Sequence, residues 1–122
     1  MDSMPFNTRL LDESISKRRQ QDEKIRQETL GRLLKWLDDH GWQYGIDRVY
    51  IFGSLTAPGR FRADSDIDLA IEQMAPEAFF AMMGQLAEAF ERDVDLVELR
   101  KCHFADRIRV KGVVWNSPSL QS

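Results

Sequence analysis

The chain has 122 residues, 43% of them apolar and 30% charged, with a net charge of −3. That length fits one compact domain with a modest core, and the acidic balance speaks against a broad nucleic-acid-binding face. No apolar run approaches the roughly 18 residues that span a bilayer, so a membrane protein is not expected.

From residue 10 to residue 40 the sequence predicts one long N-terminal helix. Its second half carries an apolar stripe of Ile25, Leu30, Leu33, Leu34 and Leu37. The polar half from 16 to 24, with Lys17-Arg18-Arg19, is either a solvated extension or a segment that orders against a partner. Gly41 stops the helix. Val49-Tyr50-Ile51-Phe52 reads as a short buried strand ending at Gly53-Ser54, followed by a loop with Pro58 and Gly59. A second strand spans 66–71, a helix opened by Pro76 spans 76–92, and a third strand spans 94–99. A short helix over 104–110 precedes Val113-Val114-Trp115. Residues 1–8 and 116–122 read as a loose lead-in and a frayed tail. The 1–122 chain is thus expected to be one domain, with a helical extension over 1–45 and a core over 46–115.

Asp66 and Asp68 stand two apart on a strand, so their side chains leave the same face. Two carboxylates held so close repel each other, and a hard divalent cation such as Mg²⁺ removes that conflict. Asp95 opens the next strand as a third acid. Asp93 is its rival, but Asp95 sits inside the apolar run. Three acids from two strands can hold two ions, an arrangement suited to phosphoryl or nucleotidyl transfer. Gly53, lacking Cβ, would let a phosphate approach the backbone, with Ser54 and nearby amides as donors. For these groups to meet, strands one and two must be antiparallel and strands two and three parallel, with the 76–92 helix as crossover. The fold expected is α/β (α+β), a small mixed sheet of three or more strands packed with helices.

Phe52-Gly53-Ser54, Gly59, Ser65-Asp66-Ile67-Asp68-Leu69 and Val94-Asp95-Leu96-Val97 together resemble the signature of the polymerase-beta-type nucleotidyltransferases. Within that superfamily the likeness is to the minimal nucleotidyltransferases, many of them antitoxins paired with a HEPN-type toxin. The resemblance covers residues 46–115. Ala57-Pro58 stands where the family has an arginine before the loop glycine, which leaves Arg60 or Arg62 as the triphosphate contact. The resemblance implies a Mg²⁺-dependent enzyme that moves AMP from ATP onto a tyrosine hydroxyl of a HEPN toxin, itself a ribonuclease, in a cytoplasmic hetero-oligomer. Asp66, Asp68 and Asp95 would be catalytic and metal-binding, and Gly53, Ser54, Arg60 and Arg62 would bind nucleotide.

Transfer to a small-molecule hydroxyl fits less well, because such enzymes carry an added acceptor domain. A binding module that neutralises a toxin by contact alone, through the stretch from Ile25 to Leu37, is the remaining alternative. Neither His40 nor His103 has an arginine four to six residues before it, so this chain does not resemble the HEPN partner. The basic run from Arg100 to Lys111 is either a solvated helix face or a contact for a phosphate or an acidic partner. Cys102 is the single cysteine, which excludes an intrachain disulfide and a cysteine-built zinc site.

Overall fold

A computed structural model of the chain describes residues 8–118. The expected lead-in before residue 8 and the tail from residue 119 onward lie outside the described residues. Helix α1 (Thr8–His40) is followed by a 3₁₀ turn (Gly41–Tyr44) and strand β1 (Arg48–Phe52). A second 3₁₀ turn, Gly53–Thr56, leads towards β2 (Ile67–Ile71), α2 (Pro76–Phe90) and β3 (Val94–Glu98). The chain closes with α3 (Ala105–Lys111) and β4 (Val113–Asn116).

The four strands form one mixed sheet in the order β3-β2-β1-β4. β1 runs antiparallel to both β2 and β4, and β2 runs parallel to β3 with α2 as the crossover. This is the topology that the meeting of Gly53, Asp68 and Asp95 demands. The fourth strand completes the other side of β1.

Strand alternation divides the two faces. Val49, Ile51, Ile67, Leu69, Ile71 and Leu96 point into the main core, where Leu33 and Leu37 of α1 and Met82 and Leu86 of α2 cover them. Tyr50, Ala70 and Val97 point the other way, under Leu99, Ala105 and Ile108. α3 covers only part of this second face. Asp68 and Asp95 stand two residues before Ala70 and Val97 and share their face, so the partly covered face is the one that carries the acids.

Several local expectations are corrected. Ile25 is 42% exposed and lies off the core, whereas Arg26 and Thr29 are buried in the stripe instead. The true buried face of α1 therefore runs through 26, 29, 33 and 37, the α-helical repeat that best fits the sheet. β2 begins at Ile67, one residue later than expected, because the Ile67 N–H is the first donor of the pairing and reaches Asp93 O at 3.0 Å. α2 stops at Phe90 because Glu91 turns left-handed, with φ of 51°. Residues 9–21 of α1 are all exposed. Among the described residues no helix is long and apolar enough to cross a membrane.

Candidate nucleotide and metal site

The parallel register sets Asp68 directly beside Asp95. The antiparallel register sets Phe52, the residue before the Gly-Ser pair, beside Asp68. Asp66 lies just outside β2, on the same side by alternation. The sheet thus brings the three acids together at one end, next to the Gly53–Thr56 turn. Burial, then the charges of Asp95 and Asp66, push the Asp68 carboxyl up from its ordinary range. A fold that holds a carboxylate against two others has a place for positive charge.

Among the described residues no three acids, histidines or cysteines converge into a ready-made metal cage. The open, all-oxygen donor set still fits Mg²⁺, which takes one or two carboxylates and fills its remaining positions with water and phosphate oxygens. Asp93, the rival acid, lines a separate hollow with Asp64 and Arg92. Geometry puts Asp95, not Asp93, beside Asp68.

Gly53 is needed for a reason that its sequence position does not reveal. Its φ is +78°, and a Cβ built there would strike Asp68 Oδ2 and lie 3.1 Å from Asp68 Cγ. The missing side chain makes room for the carboxylate, and not only for a phosphate. The turn itself is held by the Thr56 hydroxyl, which donates to Gly53 O at 2.9 Å, and by the Ala57 N–H, which donates to Ser54 O at 3.1 Å. Gly53, Ser54 and Arg60 line one cleft of about 780 Å³ between this turn and α3. Arg62 does not join them. It lines a different hollow, with Arg19, Asp22 and Gly59.

Two positioning devices are invisible in the sequence. The buried Arg26 of α1 donates through Nη1 to Leu55 O at 3.1 Å, inside the Gly53–Thr56 turn. The same guanidinium forms a two-point pair with Glu23, at 2.9 and 2.5 Å, and Glu23 Oε1 accepts the Gly59 N–H at 3.4 Å. The i, i+3 spacing of Glu23 and Arg26 is the only available hint. Arg92 does similar work before Asp66. Its Nη1 donates to the carbonyls of Arg62, Ala63 and Ser65 at 3.0, 3.1 and 2.9 Å. Its guanidinium also lies 4.3 Å from the Phe61 ring centre. A partner set made of backbone carbonyls leaves no sequence trace.

The Glu23–Arg26 pair predicts a pH effect with a definite sign. The Arg26 hydrogen bond, with smaller help from Gln27, lowers the Glu23 carboxyl to about 2. Its contribution to stability is therefore complete above the ordinary glutamate value and is lost as pH falls through about 2. Arg26→Ala should cost about 1–3 kcal/mol at neutral pH, because a buried acceptor loses its donor. Urea unfolding should show that loss shrinking below pH 4.5, where the ordinary glutamate value lies. A loss that stays constant down to pH 2 would leave Arg26 its bond to Leu55 O and remove the Glu23 pair from the account.

The family model for "Polymerase beta, Nucleotidyltransferase" matches residues 40–117, which contain Gly53, Ser54 and all three acids. No curated protein sequence matches the chain. Among solved structures, one entitled "Crystal structure of the toxin-antitoxin with AMP-PNP" is similar at 27% identity and a TM-score of 0.54. The likeness covers 73% of this chain and 74% of that one. A second, a mutant of the toxin-antitoxin MntA-HpeT, is similar at 26% identity and a TM-score of 0.51, covering 73% of each chain. With the family model spanning well over half of its residues and the acid-bearing sheet end in place, the chain belongs to the polymerase beta nucleotidyltransferase family.

Proposed function

We propose that this nucleotidyltransferase moves AMP from ATP to a tyrosine hydroxyl of a partner HEPN-type toxin, and so acts as its antitoxin. The observation that carries the reading is the register pair of Asp68 and Asp95, with Gly53 seated against Asp68. The similarity to a toxin-antitoxin solved with AMP-PNP supports both the nucleotide and the kind of partner. The free thiol of Cys102 fits a cytoplasmic setting.

Asp66 and Asp68, with Asp95 on one side, would hold Mg²⁺, which when bound neutralises phosphate charge and stabilises the leaving pyrophosphate. Gly53 and Ser54 offer the triphosphate a turn free of side-chain bulk, and Arg60 offers it a charge from the same cleft. The acceptor oxygen bonds to the α-phosphorus as the α–β bridging bond breaks. Pyrophosphate departs, and Asp95 takes the proton of the hydroxyl. Arg62, placed in its own hollow, is left out of this assignment.

The core-facing side of the 25–37 stretch is not a partner surface, since Leu33 and Leu37 are fully buried in this chain's own core. Among the described residues of α1, the exposed large apolar side chains are Leu10, Leu11, Ile15 and Ile25.

Intact-mass spectrometry of the partner tests the reading. After incubation with wild-type protein and Mg-ATP, the partner should gain a nucleotide-sized mass and stay silent after dilution. The Asp95→Ala protein should still bind the partner, yet leave its mass unchanged and its activity recoverable. Equal protection by both proteins with no added mass would make the chain a binding module. Transfer to a small-molecule hydroxyl in the absence of any modified partner would favour that acceptor instead.

A further inference from the structure

α3 divides its cations between two faces. Arg109 turns to the end of β2, where it forms a two-point pair with Glu72 at 2.9 and 3.1 Å, and it also reaches Asp106 at 3.2 Å. Its charge is already matched. Arg107 and Lys111, four residues apart on the same helix, line the cleft that Gly53, Ser54 and Arg60 line from the other side. Among the described residues, no hydrogen bond or ion pair engages the side chains of Arg60, Arg107 or Lys111. Three unmatched positive charges therefore face one cleft.

Like charges gathered this way repel, and an i, i+4 pair of cations on a helix is itself unfavourable. Nothing in the packing requires them, because Arg107 and Lys111 are exposed while Ala105 and Ile108 make the helix's core contacts. Gly53 lines the cleft, and its Cβ position abuts Asp68, so the cleft that holds the three cations adjoins the acids. One end of the arrangement attracts a cation and the other attracts an anion. A metal-bound polyphosphate has that polarity.

We propose that Arg107 and Lys111, with Arg60, bind the β- and γ-phosphates of the nucleoside triphosphate. This rests on the nucleotidyl-transfer reading above and adds to it a binding surface on α3. It also explains how the chain manages with Ala57-Pro58 in the loop, since the charge is delivered from the helix across the cleft. The same cations would hold pyrophosphate as it leaves.

Calorimetric titration with Mg²⁺ and each of three probes tests this: a non-hydrolysable ATP analogue, inorganic tripolyphosphate and AMP. Removing one charge-assisted hydrogen bond should weaken binding by about 10-fold, so R107A/K111A should bind the analogue about 100-fold less tightly. Tripolyphosphate affinity should fall in parallel, AMP affinity should change little, and the melting temperature should hold. The charge-keeping R107K/K111R protein should recover most of the affinity. Unchanged affinity of R107A/K111A for the analogue and tripolyphosphate overturns the assignment and points to an acidic partner on α3, with the nucleotide reading intact. Wild-type protein that binds neither analogue nor tripolyphosphate overturns both.

Discussion

Asp68→Asn should lower nucleotide transfer by at least about 100-fold, since even the residues that support a metal ligand are worth 10–100-fold. It should also raise the melting temperature of the metal-free protein. Burial and the two neighbouring carboxylates push the Asp68 carboxyl up, so the folded state disfavours its charged form. The linkage follows from that direction. Relative stability from this group is complete below the ordinary aspartate value and is lost as pH rises through the higher folded value. Wild-type protein without metal should therefore lose stability over that rise, and Asp68→Asn should not. Added Mg²⁺ should raise the wild-type melting temperature at neutral pH and leave that of the variant nearly unmoved. Melting curves from about pH 3 to 8 with and without Mg²⁺, beside a transfer assay, separate the two effects. An active variant, or one with the wild-type pH and metal response, would remove Asp68 from the site.

Gly53→Val should be damaging twice over. A left-handed φ of +78° costs a β-branched residue roughly 2–3 kcal/mol. The new Cβ must also displace the Asp68 carboxylate, with Asp68 Cγ and Cβ at 3.1 and 3.2 Å from it. Transfer should fall by about 100-fold, as it does when the support of a metal ligand is removed. Gly45 supplies the control. It has a similar φ of +70° and nothing within 4 Å of its Cβ position. Gly45→Ala should thus lose only the backbone term, about 1–2 kcal/mol, and Gly53→Ala that much plus the cost of moving the Asp68 carboxylate. Only Gly53→Ala should lose transfer activity and the Mg²⁺-dependent rise in melting temperature. Equal activity in the two alanine variants would mean that the Asp68 carboxylate tolerates displacement.

Much of the sheet is legible in the sequence because alternation and topology constrain each other. Asp66 and Asp68 at spacing two, and Asp95 in an apolar run, can share an end of a sheet only if their strands are parallel neighbours. The structure has that register. Contacts between residues distant in sequence are not legible. Gly53 reads as room for a ligand, whereas Asp68, fifteen residues later, occupies the space beside it. Arg26 escapes notice because a charged residue inside an apolar stripe reads as a lapse in the pattern. Its buried partner, Leu55 O, belongs to the backbone and leaves no mark in composition. Arg60 and Arg62 look equivalent at spacing two, yet on either side of the buried Phe61 one lines the cleft beside α3 and the other a hollow beside α1.

The place of β4 in the sheet also bears on how the protein is made. β1 lies between β2 and β4, and Trp115 of β4 donates from Nε1 to Asp38 of α1 at 2.8 Å. The Trp115 ring also fills the space beside Gly41, whose Cβ would come within 2.7 Å of it. The earliest helix and the latest strand thus complete each other. During synthesis, α1 emerges well before Trp115, and β1 keeps a bare edge until residues 113–116 clear the ribosome. Pairing across that sequence distance carries a high loop-closure cost, so folding should finish only after release of this last strand. A growing chain has its Gly-Ser turn and all three aspartates before it has the strand that covers the free edge of β1.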